Sequence, residues 1–411
     1  MGKRLAIIGG GASGSVAAII AAREGLSVTV FEGNSAILKK IHATGNGRCN
    51  LGNSYFEKDC YYGDVDRAFN VFDRFSKEDT FRFFNSIGLF IKDIRGYLYP
   101  LSESAKSVVE ALSGEIKSLS INVITNAKIV RIDRLNKGFK LTDSEGKSHE
   151  FDACIITTGG NAAPSTGSDG VGIKLALSMG HTIVPTVPGL VPLKSSDEKL
   201  KSLAGVRATG TVGLYDEDDN LLCKETGEIQ FTDSTVSGIP VFQISRVANY
   251  LMNEGKNVYL KVDFFPGAEE NFRDSFLLRK LMLHERNIRE FFTGILNDKI
   301  MEVIIKKANL DLNSPCEELK NEDLERVYDL CRNLTFSIKG NAGYDKAQVT
   351  AGGISMNELD HNLQSLKCEG LFLAGEIINV DGKCGGYNLQ WAFSSGAVAA
   401  EGALNYLKQG R

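Results

Sequence analysis

The run Gly9-Gly10-Gly11-Ala12-Ser13-Gly14 constrains this chain more than any other six residues. It follows the apolar strand pattern Leu5-Ala6-Ile7-Ile8 and opens an Ala-rich helical pattern from Ser15 to Arg23. A second strand pattern, Ser27 to Phe31, ends in Glu32. Glycines spaced G-x-G-x-x-G between a strand and a helix are the fingerprint of a dinucleotide-binding turn. Gly9 permits the tight turn, Gly11 lets a pyrophosphate approach the backbone, and Gly14 lets the helix pack close to the strand. The helix start, at Ala12 and Ser13, points bare N–H groups and a positive dipole end at the phosphates. Glu32 lies 18 residues past Gly14, where a carboxylate can accept hydrogen bonds from ribose hydroxyls.

The remaining composition narrows the setting. A chain of 411 residues is long enough for two or three domains and a large core. Its 43% hydrophobic and 24% charged residues are those of an ordinary globular protein. A net charge of −4 supplies no global basic field for nucleic acid or acidic lipid, so neither is expected as a partner. The longest apolar run, Val16 to Ala22, is far shorter than the roughly 18–20 residues that cross a bilayer. The chain enters its first strand at once, which leaves no room for a secretory signal and predicts a cytoplasmic protein. The eight cysteines are scattered without a C-x-x-C, and the five histidines are dispersed. Neither a metal site nor a thioredoxin-like redox pair is expected.

Along the chain, residues 33–63 are polar and loop-like, and loops of that length are usually functional. Val65 to Ile87 reads as one helix whose phenylalanines (Phe69, Phe72, Phe75, Phe83, Phe84) face the core. A further helix covers Glu103 to Leu119, and strands are expected at Ile121–Thr125, Lys128–Arg134, Phe139–Asp143 and Phe151–Thr157. The last of these runs into Thr158-Gly159-Gly160, a second glycine turn at a strand end. Pro185 and Pro188 suggest a domain crossing. The expected layout is an α/β protein with a discontinuous Rossmann-like domain formed by 1–188 and 345–411. It encloses a β-rich, substrate-side domain (189–269 and 333–344) and a helical insertion (270–332). A second complete nicotinamide-binding module is not evident.

The glycine fingerprint alone does not separate NAD from FAD. The C-terminal segment Leu371-Phe-Leu-Ala-Gly375-Glu376 favours the flavin, because a strand ending in glycine and a carboxylate can meet the polyol linker of a longer coenzyme. Asp381 follows, and Gly385-Gly386-Tyr387-Asn388-Leu389 opens the last helix, Leu389 to Leu407. A Gly-Gly helix start can bring backbone N–H groups to a planar ring carbonyl.

Four segments together resemble the BaiN-like family of bacterial FAD-dependent oxidoreductases. They are Gly9–Gly14, Ala43-Thr-Gly-Asn-Gly-Arg-Cys-Asn50, Val349-Thr-Ala-Gly-Gly-Ile354 and Gly385-Gly-Tyr-Asn-Leu-Gln-Trp-Ala-Phe-Ser-Ser-Gly396. The resemblance runs nearly end to end. It implies FAD as cofactor, surrounded by Ser13, Glu32, Lys40, Gly45, Asn46, Arg48, Val130, Gly375, Asp381 and Gly386 to Leu389, with Val130 meeting adenine through its backbone. Gly159 and Glu376 join these as strand-end candidates. Two positions depart from the family pattern: His42 stands where an aliphatic residue is usual, and Lys383-Cys384 where threonine is common. Cys384 puts the substrate chemistry in doubt, and its thiol pKa can be lowered by the helix start that follows.

The expected activity is hydride transfer between flavin and a small organic substrate lying between the nucleotide and inserted domains. One branch of the resembled family reduces conjugated 3-oxo bile-acid intermediates, which makes an enone reductase a subtype to test. NADH or NADPH is a candidate transient electron donor. The rival readings are a flavin amine oxidase, a tRNA-modifying flavoprotein, which would want a basic face with exposed aromatics, and a flavin-binding regulatory module. Arg48 is a candidate to hold the pyrophosphate or to stabilise negative charge near the flavin, Tyr387 to donate a proton, stack near the ring or pack, Cys49 to be a core thiol rather than one near the flavin, and Trp391 and Phe393 to lie in the core. His284 and the pair Lys306-Lys307 read as solvated helix residues. No general acid or base stands out.

Overall fold

The computed structural model describes residues 3–267 and 272–409. The expected boundary between β-rich and helical segments, at 269/270, lies outside the described residues. The chain divides into two compact units, residues 1–188 with 348–411, and residues 189–347. The second stretch of the first unit begins three residues after the expected 345, next to the strand Val349–Ile354 that belongs to its sheets.

The first unit is built on a five-stranded sheet in the order Leu371–Leu373, Ala153–Ile156, Arg4–Ile8, Ser27–Phe31, Asn122–Ile124. Every neighbouring pair is parallel. Leu5, Ala6, Ile7 and Ile8 are all buried, as a strand covered on both faces requires. The helix Ala12–Arg23 returns from the glycine turn with Val16, Ala17, Ala18, Ile19 and Ala21 buried. The closing helix, Tyr387–Lys408, packs against it.

The expected helix Val65–Ile87 is two helices, Val65–Arg74 and Lys77–Ser86. Ser76 ends the first register by starting the second: its hydroxyl accepts the Asp79 N–H at 3.1 Å, and the Asp79 carboxylate accepts the Ser76 N–H at 2.9 Å. This reciprocal capping box outweighs the aromatic periodicity across the break. Phe72, Phe83 and Phe84 are buried, whereas Phe69 and Phe75 are partly so. The expected strand Phe151–Thr157 is also divided. Ser148–Phe151 belongs to an antiparallel three-stranded sheet and Ala153–Ile156 to the parallel one. Asp152 makes the crossing, its carboxylate accepting the Arg4 N–H at 2.7 Å and its own N–H donating to Arg4 O at 3.0 Å.

One buried polar cluster stiffens this unit away from the glycine turn. The His181 ring is enclosed, with Nδ1 at 3.0 Å from Glu358 and Nε2 at 2.8 Å from Ser365 Oγ. Ser365 Oγ already accepts the Lys367 and Cys368 N–H groups, so its proton goes to Nε2 and the imidazole is neutral. Burial pushes the His181 pKa below its usual 6.5, outweighing the raising effect of Glu358. A histidine that is harder to protonate folded than unfolded binds fewer protons in the native state. Its contribution to stability is therefore complete above the unfolded pKa and lost as pH falls below it. Urea midpoints are expected to fall between pH 7 and pH 5.5 and to fall less in His181→Asn; equal slopes in both proteins would exclude His181 as the cause.

The second unit is a closed six-stranded barrel in the order Leu193–Ser195, Thr235–Gly238, Leu221–Phe231, Arg207–Tyr215, Val258–Asp263, Leu334–Asn341. Alternation sets the faces: Val258, Leu260 and Val262 are buried, while Tyr259, Lys261 and Asp263 are half-buried. The helices following Val258–Asp263 share the barrel's core, where Phe291, Ile304 and Val327 join Leu260 and Phe336. Arg332 ties the helix Asn321–Arg332 to the strand by pairing with Asp263 at 2.8 Å.

Candidate dinucleotide site

Because the five strands are parallel, their C-terminal ends lie on one edge. That edge collects Gly9, Glu32, Thr157 to Gly159, and Gly375 with Glu376. The first turn is held by its own backbone: the Gly9 N–H donates to Phe31 O at 2.8 Å, and Thr157 Oγ1 donates to Gly9 O at 2.8 Å. The helix start at Gly11 carries no side-chain cap, and a Cβ on Gly11 would meet nothing within 4 Å. The outer face of the turn is thus open, with orphan N–H groups at Ala12, Ser13 and Gly14.

Glu32 is buried and serves the turn as well as any ribose. One carboxylate oxygen accepts the Gly10 N–H at 3.0 Å; the other accepts the Asn34 N–H at 2.8 Å and its amide at 2.9 Å. The Ala127 N–H donates to Glu32 O at 2.9 Å, which brings the start of the strand Ile129–Arg134 to this corner. Within that strand a register shift leaves Val130 without a cross-strand partner, and it is 47% exposed.

The segment 39–47 folds into 3₁₀ turns rather than an open loop, with Gly45 and Asn46 in the left-handed region at its bend. The Leu38 N–H donates to Gly10 O at 2.8 Å, fixing its beginning beside the glycine turn. Lys40 reaches Glu376 at 2.7 Å. Arg48 is paired with Glu103 at 3.2 Å and lies over the Tyr99 ring at 4.5 Å; neither partner belongs to the strand-end group. Cys49 is buried, and burial pushes its thiol up to about 12, which makes it an inert core thiol.

At the closing helix, Gly386 has φ 93° and provides no side-chain cap, so this helix also begins with bare N–H groups. Asn388 fixes the approach: its Oδ1 accepts the Gly382 N–H and its Nδ2 donates to Gly382 O, both at 2.8 Å. Asp381 is buried in the short strand Val380–Gly382, which pairs with Tyr61–Gly63. Tyr387 is buried with its ring edge-on to Tyr61 at 5.6 Å, and the Tyr61 hydroxyl donates to Tyr387 O at 3.2 Å. Burial, then a hydrogen bond with Cys60, raises the Tyr387 pKa well above the usual tyrosine range. Leu389 and Cys384 are half-buried. Trp391 is in the core and donates its indole N–H to Gly375 O at 3.0 Å, while the Gly375 N–H donates to Ser395 Oγ at 2.9 Å. Phe393 is fully buried.

Sequence reasoning passed over Thr157 and Thr350. Thr350 Oγ1 accepts the N–H groups of Asn161 and Ala162 at 2.7 and 3.0 Å, and its own N–H donates to Glu376 at 2.9 Å. Thr157 directly precedes Thr158-Gly159-Gly160 and Thr350 lies within Val349–Ile354, and that placement was the available signal.

The two uncapped helix starts test whether an extended coenzyme fits. A Cβ on Gly396 would sit 2.4 Å from Ser13 O, so the first helix begins against the middle of the closing helix. Nine residues separate Gly396 from Tyr387, which is roughly 14 Å at 1.5 Å per residue. A phosphate at one start and a planar ring at the other, joined by a polyol, match that spacing.

The family model described as the HI0933-like protein Rossmann domain matches residues 3–402. The chain belongs to the HI0933-like family. As a member it is an FAD-binding Rossmann oxidoreductase. This HI0933-like chain is 41% identical over 406 residues to a 3-dehydro-bile acid delta(4,6)-reductase of Clostridium scindens, covering 98% of this chain and 99% of that protein. It is 26% identical over 402 residues to a ribosomal RNA dihydrouridine synthase of Escherichia coli, covering 96% of each. Among solved structures, a 3-ketosteroid delta1-dehydrogenase from Sterolibacterium denitrificans shares the fold, with a TM-score of 0.51, 12% identity, and coverage of 98% of this chain and 99% of that one. Among the described residues of the HI0933-like chain, no helix is long and apolar enough to cross a membrane. No group of three or more His, Cys, Asp or Glu among those residues could hold a metal ion.

Proposed function

We propose that this chain is an FAD-dependent enone reductase acting on a small conjugated 3-oxo substrate of the bile-acid or steroid type. The observation that carries the reading is the 41% identity to the bile-acid delta(4,6)-reductase across 98% of the chain. The site supports it. Ala12, Ser13 and Gly14 would hold the pyrophosphate, with Glu32 and the backbone of Val130 at the adenosine end. Gly375, Asp381 and the N–H groups of Tyr387, Asn388 and Leu389 would hold the ribityl and ring end.

Bound FAD would supply the hydride-transferring ring. The chain's own part is to orient and tune it. The bare start of the closing helix would stabilise negative charge on a reduced ring held there by up to ~2 kcal/mol if partly buried. Tyr387 holds its phenolic proton to higher pH than an ordinary tyrosine, because burial and then the Cys60 hydrogen bond raise its pKa. We place the enzyme in the cytoplasm, a reading supported by the absence of any disulfide among the described residues. A net charge of −4 supports a small substrate over RNA.

The test is anaerobic. The FAD-loaded protein is reduced by light, by NADH or by NADPH, then mixed with a 3-oxo-Δ4,6 bile acid. Reoxidation of the flavin with loss of one C=C bond from the 3-oxo substrate per two electrons is the expected result. Reoxidation only by oxygen together with an amine substrate would support the oxidase instead, and reoxidation only by uridine in ribosomal RNA would support RNA modification.

A further inference from the structure

We propose that segment 39–47 is a strap over the coenzyme crevice and that the Lys40–Glu376 ion pair is its clasp, a pair of positioning residues that sets how fast FAD leaves. The inference rests on the chain holding FAD along this strand edge.

The strap is anchored at one end beside the glycine turn. The Leu38 N–H donates to Gly10 O at 2.8 Å, and Lys39 Nζ donates at 3.3 Å to Asn34, whose amide is itself bound to Glu32. Its far contact is Glu376, which lies just past Leu371–Leu373. That strand is two places from Arg4–Ile8 in the sheet, with Ala153–Ile156 between them. Two strand spacings are roughly 10 Å. The Lys40 side chain therefore spans from the Gly10 corner toward the end of Leu371–Leu373, along the line on which an extended dinucleotide lies in such a fold, while the backbone of the segment packs on the helix Ala105–Ser118.

Glu376 is built to receive this contact. One oxygen takes Lys40 at 2.7 Å, and the other takes the Thr350 N–H at 2.9 Å. Thr350 in turn holds Asn161 and Ala162, so the clasp ends on a fixed network rather than a loose side chain. The Glu376 side chain is 19% exposed and that of Lys40 27%, so the pair is shielded but not sealed from solvent. A pair in this setting opens more readily as salt rises. Opening it releases the Lys40 side chain from Glu376 and uncovers that end of the crevice, while Leu38 stays on Gly10 and Ile41 stays buried.

The experiment measures FAD release, read as recovery of flavin fluorescence after dilution of the FAD-loaded protein. Lys40→Met and Glu376→Gln are expected to release FAD at least tenfold faster than the native chain. The double variant Lys40→Met with Glu376→Gln is expected to release FAD no more than about threefold faster than either single variant, because both changes break the same pair. Release from the native protein should quicken with added salt, and release from Lys40→Met should not. Unchanged release in both single variants would overturn the clasp. Faster release in the singles whose effects multiply in the double variant would show each residue acting alone, which also overturns it. Thermal unfolding of the FAD-free variants checks that they fold. A native protein that takes up no FAD would sink the functional reading itself, a result distinct from either of these.

Discussion

Gly14→Ala is expected to leave the protein colourless. A Cβ at this position would lie 2.0 Å from Gly9 O and 2.6 Å from Thr157 Oγ1. Neither atom can retreat: Gly9 is bonded to Phe31 O, and the Thr157 hydroxyl is bonded to Gly9 O itself. The helix Ala12–Arg23 must move instead, and it is packed against the closing helix at Gly396, where a Cβ would already be 2.4 Å from Ser13 O. Forcing a methyl into a close-packed site costs about 1–3 kcal/mol in stability. The larger effect is on the bare N–H groups, which lose their aim at the pyrophosphate. FAD affinity is expected to fall at least a hundredfold, measured as visible flavin absorbance per protein after reconstitution and desalting. Gly11→Ala is the control, because nothing stands within 4 Å of its Cβ. Its melting temperature in the FAD-free state should match the native protein, while that of Gly14→Ala drops by several degrees. Full flavin content in Gly14→Ala would refute the assignment of this turn.

The strength of that contrast follows from what sequence can encode locally. The strand–turn–helix–strand order and the parallel sheet were readable because each element carries its own period and its own turn residues. Contacts between distant residues were not. Glu32 was legible as a carboxylate at a strand end, but its bonds to Gly10 and Asn34 depend on how the turn folds back. Arg48 stood out as a cation in a glycine-rich segment, yet its partners Glu103 and Tyr99 lie some fifty residues away in the sequence, and no local pattern pairs them with it. The break at Ser76 was local and visible as Ser-x-x-Asp, but a run of phenylalanines at helical spacing masked it. Closure of the barrel depends on pairing Leu193–Ser195 with Leu334–Asn341, more than a hundred residues apart, which no local pattern announces. Thr157 and Thr350 are small hydroxyls whose role appears only when strand ends meet.

Gly386→Ala separates binding of the coenzyme from its tuning. Gly386 sits at φ 93°, and a Cβ there would lie 2.6 Å from both Gly52 N and Gly52 O. An alanine in the left-handed region costs about 1–2 kcal/mol before any contact is counted. Gly52 cannot yield freely, because it is paired with Leu98 in the strand register. The remaining closing helix is long and its interior positions Trp391, Phe393 and Ser395 are buried, so it stays in place while its first turn shifts. The pyrophosphate end is untouched by that shift. FAD should therefore remain bound within about tenfold of native affinity, whereas the N–H groups of Tyr387 to Leu389 lose register with the ring. Enone reduction is expected to fall about a hundredfold, and the visible flavin spectrum of the oxidised protein to move toward that of free FAD. A variant with native spectrum and native turnover would show that the closing helix start does not face the ring. A colourless variant would show that it bears on binding as heavily as the glycine turn does, and the division of labour between the two helix starts would fail.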